Sequence, residues 1–594
     1  MTVAMSATKS ATKPAARPGM PESIFREILK GAFASMVREM SVLIERTAMS
    51  PIIREKQDYA VGFFDVDGSM VLAQFLMQGP GMIKPILARF PLEDMRPGDV
   101  YCYNDPYLSE GAVGHVPDLV FCLPIFDDGK AQGFVALFGH FWDIGGMAAG
   151  GMSPQATEVF HEGVIVPPIQ LARNGEYVRD VYDMLMRNTR FPHFLDGDVR
   201  ACVSACRLGV TRIEGMFAQY GSGRVMEGSR FLIKQSADSS RQLLQNLLPA
   251  GSWQGSDRVD NDGFSSGPFD VNLRLTRKGS HISFDLTETS NQARGPINFI
   301  LHPGILTTVL LGRILEGYDG TLLLNEGIVD SVDEIKLRTG SLLSPKFPGG
   351  VALRALTRNS VTNAILKAMS VANPSEIPAP SANYGIVTFR AQDPVTGRLI
   401  YCFDGLGIGM GARPWADGID SVYLIGQKNN PVEWLEAEYP LRVLQYGIAL
   451  NSGGPGEKRG GVGIVRDLEV LRDGVILCTM MVNVECAAEG AAGGKPGAVG
   501  SIVLNPDKPD RRVLPAMADN IELKCGDIVR VVTAGGGGWG DPFAREPQAV
   551  AWDVRKEYVT RDAARSDYGV VISNDSFEPD FDATARLRSE GRGL

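Results

Sequence analysis

Asp118-Leu119-Val120-Phe121-Cys122-Leu123-Pro124-Ile125-Phe126-Asp127-Asp128-Gly129-Lys130-Ala131-Gln132-Gly133-Phe134-Val135-Ala136-Leu137-Phe138-Gly139-His140 is two apolar runs about a polar turn. Leu119 to Phe126 and Gln132 to Gly139 read as strands, with Asp127-Asp128-Gly129-Lys130 as the turn of an antiparallel hairpin. A hairpin centred near Asp128 sets Asp118 opposite position 139, with paired residues about 5 Å apart. Both flanks carry chemistry: Gly114-His115-Val116-Pro117-Asp118 on one side, Gly139-His140-Phe141-Trp142-Asp143-Ile144-Gly145-Gly146 on the other. Each holds a His and an Asp three residues apart, in a chain with 6 histidines among 594 residues. His115, Asp118, His140 and Asp143 therefore converge at the open end of the hairpin.

Imidazole and carboxylate together suit Zn, Mn or Fe, and a site with open positions can activate water or polarise a carbonyl. A single His-x-x-Asp reads more simply as a satisfied turn histidine followed by a capping or Asx-turn aspartate. Two of them joined by one hairpin read as a site. Residues i and i+3 of a strand face opposite sides, so both pairs are expected in the loops flanking the strands, where Pro117 and Gly145-Gly146 fit.

The composition predicts several domains or one large multi-lobed body with enough apolar content for a core. The net charge of −10 argues against a nucleic-acid or anionic-membrane partner. No apolar run approaches the ~18–20 residues of a membrane span. The 8 cysteines are scattered, mostly in apolar stretches, and read as buried free thiols in a reducing cytoplasm. Residues 1–21 are rich in Ala, Ser, Thr and Pro and lack the apolar stretch of a secretory signal. They read as a disordered tail, with a transit peptide as the alternative.

Pro21 opens a periodic helix whose apolar face runs Ile24, Ile28, Leu29, Phe33, Met36, Val37, Met40, Leu43, Ile44. Tyr59–Phe64 and Met70–Gln74 read as strands, and residues 197–219 and 224–248 as helices, the second weakened by Ser236-Ala237-Asp238. From about residue 251 the texture turns to β, with a hairpin about Lys278-Gly279-Ser280, a helix over Leu353–Ala372 and a second hairpin at Asp473-Gly474. The expected class is α+β: a large mixed body with antiparallel hairpins, a helical N-terminal part and a glycine-rich β C-terminal part. The expected division is a metal-site region over 22–250, a central α+β region over 251–440, a glycine-rich β region over 441–545 and a charged tail with at most a peripheral helix over 546–594.

Three glycine clusters, at 452–463, 493–497 and 533–542, invite a phosphate-cradle reading. None contains the Gly-Lys-Ser/Thr of a P-loop or leads clearly from a strand into an amphipathic helix. They read as structural turns, with close approach of another backbone or a ligand as the second reading, because four consecutive glycines cost more backbone entropy than a turn requires. Arg54-Glu55-Lys56-Gln57-Asp58 reads as a solvated turn before it reads as a site. Glu158, His161 and Glu162 are candidates to approach the metal. Arg294, in Arg294-Gly295-Pro296-Ile297-Asn298, is a candidate anion contact or a structural ion pair. Phe141, Trp142 and Trp539 suggest an aromatic or apolar substrate.

These segments, with Asn104-Asp105-Pro106-Tyr107, Thr157-Glu158 and Glu436-Ala437-Glu438-Tyr439-Pro440-Leu441-Arg442, give the chain a family likeness over about residues 22–545. It resembles the hydantoinase B family, the partner subunit or second half of N-methylhydantoinases, 5-oxoprolinases, ATP-dependent lactamases, and acetone and acetophenone carboxylases. The resemblance implies a separate hydantoinase A-like subunit that binds ATP with Mg and phosphorylates the substrate. It implies a hetero-oligomer such as (αβ)2 acting in the cytoplasm. It maps a divalent-metal site onto His115, Asp118 and His140, leaving Asp143 as a fourth ligand or a partner orienting His140. Many relatives carry a second His directly after the first in the later motif, where Phe141 stands here. The resulting expectation is ATP-dependent hydrolysis of a cyclic amide (a hydantoin, oxoproline or lactam), with Asp143 or Glu158 as general base and Arg294, Phe141 and Trp142 contacting substrate or partner. A carboxylase that joins bicarbonate-derived carboxyl to a phosphorylated enol is the nearest rival, and a non-catalytic scaffold is the rival from another class.

Overall fold

A computed structural model describes residues 20–73, 79–304, 325–423, 427–573 and 576–591, with isolated positions between 305 and 324. The expected N-terminal tail therefore lies, up to residue 19, outside the described residues. The class is α+β, with long helices and several mainly antiparallel sheets.

The hairpin forms the centre of a seven-stranded sheet. Its strands are β1 (Tyr59–Asp65), β2 (Met70–Ala73), β3 (Val100–Tyr103), β4 (Asp118–Asp127), β5 (Lys130–His140), β6 (Ile169–Arg173) and β7 (Glu176–Tyr177), in the order β2-β1-β5-β4-β3-β6-β7. Asp128 and Gly129 both take positive φ (48° and 74°), the conformation of a two-residue hairpin turn whose twist matches the strands. One detail departs from the sequence expectation. The register shifts between Ile125 and Phe126, and Gln132 is the extra residue on β5. This bulge moves Asp118 from the expected position opposite Gly139 to one opposite His140. Side chains of paired residues share a face, so the slip puts the Asp118 carboxylate and the His140 imidazole side by side. The expected loop placement holds for His115 and Asp143; Asp118 opens β4 and His140 closes β5.

Both faces of the central strands are covered, which explains continuous apolar runs rather than alternation. Leu119, Phe121, Leu123, Val135 and Leu137 join the core shared with helices Glu22–Thr47 and Pro192–Tyr220. Val120, Cys122, Phe134, Ala136 and Phe138 pack with Met82, Ile83 and Ile86 on the other side. In the first helix Phe25 is buried and Ile24 is 52 % exposed, so the buried stripe is rotated from the one expected. Ser236 does not break helix Ser222–Leu247: it is buried, and its hydroxyl donates to the Leu323 carbonyl at 2.6 Å. Of the 8 cysteines, 6 are buried free thiols, including Cys202 and Cys206.

The strands flanking Asp473-Gly474 do not form the expected hairpin. Ile464–Val470 pairs with Leu441–Ile448 and Ile528–Val532, whereas Val475–Met481 pairs with Gly385–Gln392 and Met517–Leu523. The turn hands the chain from one sheet to another. The glycine clusters meet each other. Successive amides of Gly535, Gly536, Gly537 and Gly538 donate to the carbonyls of Ala498, Gly461, Pro380 and Lys495. The first and fourth reach the same neighbouring segment, a three-residue period like that of an extended threefold helix surrounded by others. A Cβ on Gly535 would stand 1.8 Å from the Ser452 carbonyl oxygen, so backbone-to-backbone contact accounts for the composition. Past residue 546 the described residues form three helices, Pro547–Arg555, Arg561–Tyr568 and Phe581–Gly591, with an apolar cluster of their own. That is more structure than a peripheral helix and tail.

Candidate metal centre

The turn before β4 and the closing residue of β5 bring three buried ligand atoms together. His115 Nε2 lies 3.0 Å from Asp118 Oδ1 and 3.1 Å from His140 Nδ1, and His140 Nδ1 lies 3.1 Å from Asp118 Oδ1. His115, Asp118 and His140 are 1 %, 1 % and 4 % exposed. His115 Nδ1 faces the Ala352 carbonyl at 3.0 Å; a carbonyl only accepts, so the proton sits on Nδ1 and Nε2 carries a lone pair. Burial and the nearby Arg354 lower the His115 pKa to about 3, which keeps that ring neutral. Burial opposes ionisation of Asp118, yet the charge of the Arg354 guanidinium, which donates to its other oxygen, holds its carboxyl well below the ordinary range.

Three electron-rich atoms thus share at most one proton, that of His140 Nδ1, and hydrogen bonds cannot satisfy such a triangle. A cation can. Atoms bound about 2.0–2.2 Å from one ion lie about 3.0–3.4 Å apart, the spacing found here. Two imidazoles and a carboxylate are the donors expected for zinc, manganese or iron. The second carboxylate oxygen is also fixed, because Arg354 Nη2 donates to Asp118 Oδ2 at 2.8 Å.

The cavity beside the triangle is lined by Asp58, Arg354, Arg358, Tyr384, Phe403 and Gln427, among others. Asp58 precedes β1, whose Tyr59 pairs with Gly139, and the Asp58 carbonyl accepts the His140 amide at 3.0 Å. Burial raises the Asp58 pKa, opposed first by His140. Its neighbour Lys56 is buried, and desolvation lowers its pKa to about 8. The cluster Arg54–Asp58, expected as a solvated turn, is therefore partly buried and reaches the cavity. Arg354 and Arg358 come from helix Arg354–Ala372, whose first turns face the site. Sequence reading placed that helix but missed both arginines, and it weighed Asp58 only within a cluster read first as a solvated turn, since only long-range packing brings these residues here.

Several expected site residues lie elsewhere. Asp143 does not line the cavity: its carboxylate is taken by Arg190 Nη1 (2.7 Å) and by the amides of Arg190 (2.7 Å) and Gly150 (3.1 Å). It anchors the Gly145-Gly146 loop. Glu158 is exposed and caps the short helix Val159–His161. Its neighbour Glu162 is buried and holds the Val351 and Ala352 amides at 2.5 and 2.8 Å on one oxygen. Desolvation raises its pKa to about 8. Arg294 is exposed and stacks 4.5 Å over the Phe264 ring, away from the cavity. Phe141 belongs to the core, 5.8 Å from Phe121, and Trp142 packs edge-on to Tyr401 at 5.2 Å. Trp539 sits among the glycine strands, its amide bound to the Lys458 carbonyl at 3.0 Å.

Residues 22–542, which include all three candidate ligand positions, match the family described as Hydantoinase B/oxoprolinase. The chain belongs to that family. A relative named as a putative D-/L-hydantoinase subunit, from Pseudomonas sp. (strain NS671), is 31 % identical over 588 residues, covering 95 % of this chain and 97 % of the relative. The hydantoinase B fold is shared with two solved structures. An ATP-dependent acetone carboxylase, nucleotide-free, superposes with TM-score 0.85 at 19 % identity, over 96 % of this chain and 83 % of the other. The ATP-dependent caprolactamase from Pseudomonas jessenii gives TM-score 0.84 at 24 % identity, over 96 % and 100 %. No helix among the described residues of this hydantoinase B chain is long and apolar enough to cross a membrane.

Proposed function

We propose that the chain is the B-type subunit of an ATP-dependent two-subunit enzyme that hydrolyses a cyclic amide, a hydantoin, oxoproline or lactam, after a hydantoinase A-like partner has phosphorylated it. The observation that carries this reading is the buried His115–Asp118–His140 triangle beside a cavity, in a chain without a recognisable nucleotide motif. Hetero-oligomerisation with the ATP-binding partner follows from the same division of labour, in an assembly such as (αβ)2. Buried free thiols suit a cytoplasmic setting.

His115, Asp118 and His140 would hold a divalent ion, zinc, manganese or iron. Bound there, it would supply Lewis acidity and lower the pKa of a water molecule. The chain's own groups do the rest. The Ala352 carbonyl fixes the His115 tautomer, and Arg354 fixes the Asp118 rotamer. Asp58, whose carboxyl is raised in pKa and lines the cavity, accepts the proton of the attacking water. Asp143 and Glu158, held outside the cavity, are replaced by Asp58 in that role. Tyr384, Phe403 and the surrounding apolar wall exclude bulk water.

Co-expression with a hydantoinase A-like subunit from the same source, followed by incubation with lactams or hydantoins, ATP and labelled bicarbonate, tests the reading. Ring opening that requires ATP and leaves no label in the product supports it. Label in the product would overturn it in favour of the carboxylase, and absence of any turnover with the partner present would favour a scaffold.

A further inference from the structure

Arg358 follows Arg354 by one helical turn, so both guanidinium groups project from the same face of helix Arg354–Ala372. Their situations differ. Arg354 is committed to Asp118 at 2.8 Å. Arg358 is only 4 % exposed, yet its Nε and Nη2 find no hydrogen-bond partner among the described residues. It lines the same cavity as the metal triangle. A buried guanidinium with idle donors is costly, because those atoms have lost their hydration without gaining hydrogen bonds in return; the nearby charges of Asp58 and Asp118 offset only part of that loss.

The surroundings favour an anion there. The helix begins at Arg354 with no side-chain cap at Leu353, so the positive end of its dipole also faces this region. The carboxylates that line the cavity are Asp58 and Asp118; Asp118 is already engaged by Arg354, and Asp58 by Gln427. The space is small. The volume open to the centre of a water-sized sphere is about 50 Å³, room for a handful of waters at ~10–15 Å³ each or for one compact oxyanion. The planar fork of Arg358 suits bidentate binding of such a group.

We infer that Arg358 is the binding residue for a small oxyanion, phosphate or hydrogencarbonate, seated in the cavity beside His115, Asp118 and His140. This deepens the proposed function by giving the active centre a position for the phosphoryl group that ATP-dependent chemistry brings to it; a seat that takes hydrogencarbonate alone would fit the carboxylase instead. It rests on that function only for its purpose, since the binding itself is a property of this chain alone.

The test is calorimetric titration and thermal unfolding of the full-length chain with sodium phosphate and, separately, sodium hydrogencarbonate, against chloride at equal ionic strength. Wild type is expected to bind at least one of them and to melt higher in its presence; the one that binds assigns the source. Arg358→Met is expected to lose at least tenfold in affinity while melting no lower than wild type without the oxyanion, because an unpaired buried cation has been removed. Arg358→Lys, which keeps the charge and loses the fork, is expected to fold and to bind at least threefold more weakly. Failure of both oxyanions to shift wild type relative to chloride, or unchanged affinity in either variant, would overturn the inference. In the complex, unchanged turnover by Arg358→Met would overturn it and leave the proposed function standing. Oxyanion binding by a wild-type complex without turnover would uphold it and remove that function instead.

Discussion

Arg354 Nη2 donates to Asp118 Oδ2 at 2.8 Å while Asp118 Oδ1 faces both imidazoles, so one carboxylate is divided between an anchor and a site. The anchor comes from a helix more than two hundred residues away in sequence, and the geometry of the triangle depends on it.

Gly114 tests that dependence without touching a ligand. A Cβ there would stand 2.2 Å from Arg354 Nε, so Gly114→Ala should push the guanidinium off Asp118. Loss of such an outer partner typically weakens metal binding about 10–100-fold. Competition with a chelator should show this loss in a variant whose circular dichroism matches wild type.

Asp143 should behave as a structural residue. Asp143→Asn removes the ion pair with Arg190 and weakens the cap on the glycine loop, at a cost of about 2–3 kcal/mol. Denaturant unfolding should report that cost, and the bound metal per chain should stay unchanged. A variant of wild-type stability that loses metal would return Asp143 to the coordination sphere.

Glu162 should make stability fall as pH rises. Burial lifts its pKa from 4.5 to about 8 in the folded chain, so between those values the folded state holds a proton that the unfolded state has released. Its contribution is complete below about pH 4.5 and is lost through pH 8. Glu162→Gln, which keeps an acceptor for the Val351 and Ala352 amides, should flatten this part of the melting-temperature profile. An unchanged slope between pH 5 and 8, values set by that same pKa window, would contradict the assignment.

The glycine bundle predicts a sharp contrast between two alanine substitutions. In Gly536→Ala the new Cβ would meet the Met410 carbonyl oxygen at 2.1 Å, whereas at Gly447 nothing lies within 4 Å. The first should cost more than about 3 kcal/mol and the second stay within about 0.5 kcal/mol of wild type. Thermal unfolding of both variants checks the pair.

Much of this arrangement was legible in the chain because it is local. Asp128-Gly129 announces its turn, and the two apolar runs announce their strands. Register was legible only to within one residue, since the bulge at Ile125 and Gln132 has no signature in residue type, and that one residue decides which side chain faces Asp118. Asp143 looked equivalent to Asp118 because the His-x-x-Asp spacing repeats; the loop beyond His140 instead delivers it to Arg190. Asp58, Arg354 and Arg358 were illegible for a different reason. Pairing of β1 with β5 and packing of helix Arg354–Ala372 are long-range events, and nothing in their own neighbourhoods in the sequence encodes the meeting. Asp473-Gly474 shows the converse: a sound turn signal, correctly a turn, whose flanking strands join separate sheets.

The central claim is that His115, Asp118 and His140 hold a divalent metal. Elemental analysis of the purified chain after dialysis against a weak chelator, beside the His115→Ala and His140→Ala double variant, tests it most directly. The geometry predicts about one zinc, manganese or iron ion per wild-type chain and none in the variant, with donors of that type and spacing. Equal, trace metal in both proteins would contradict it.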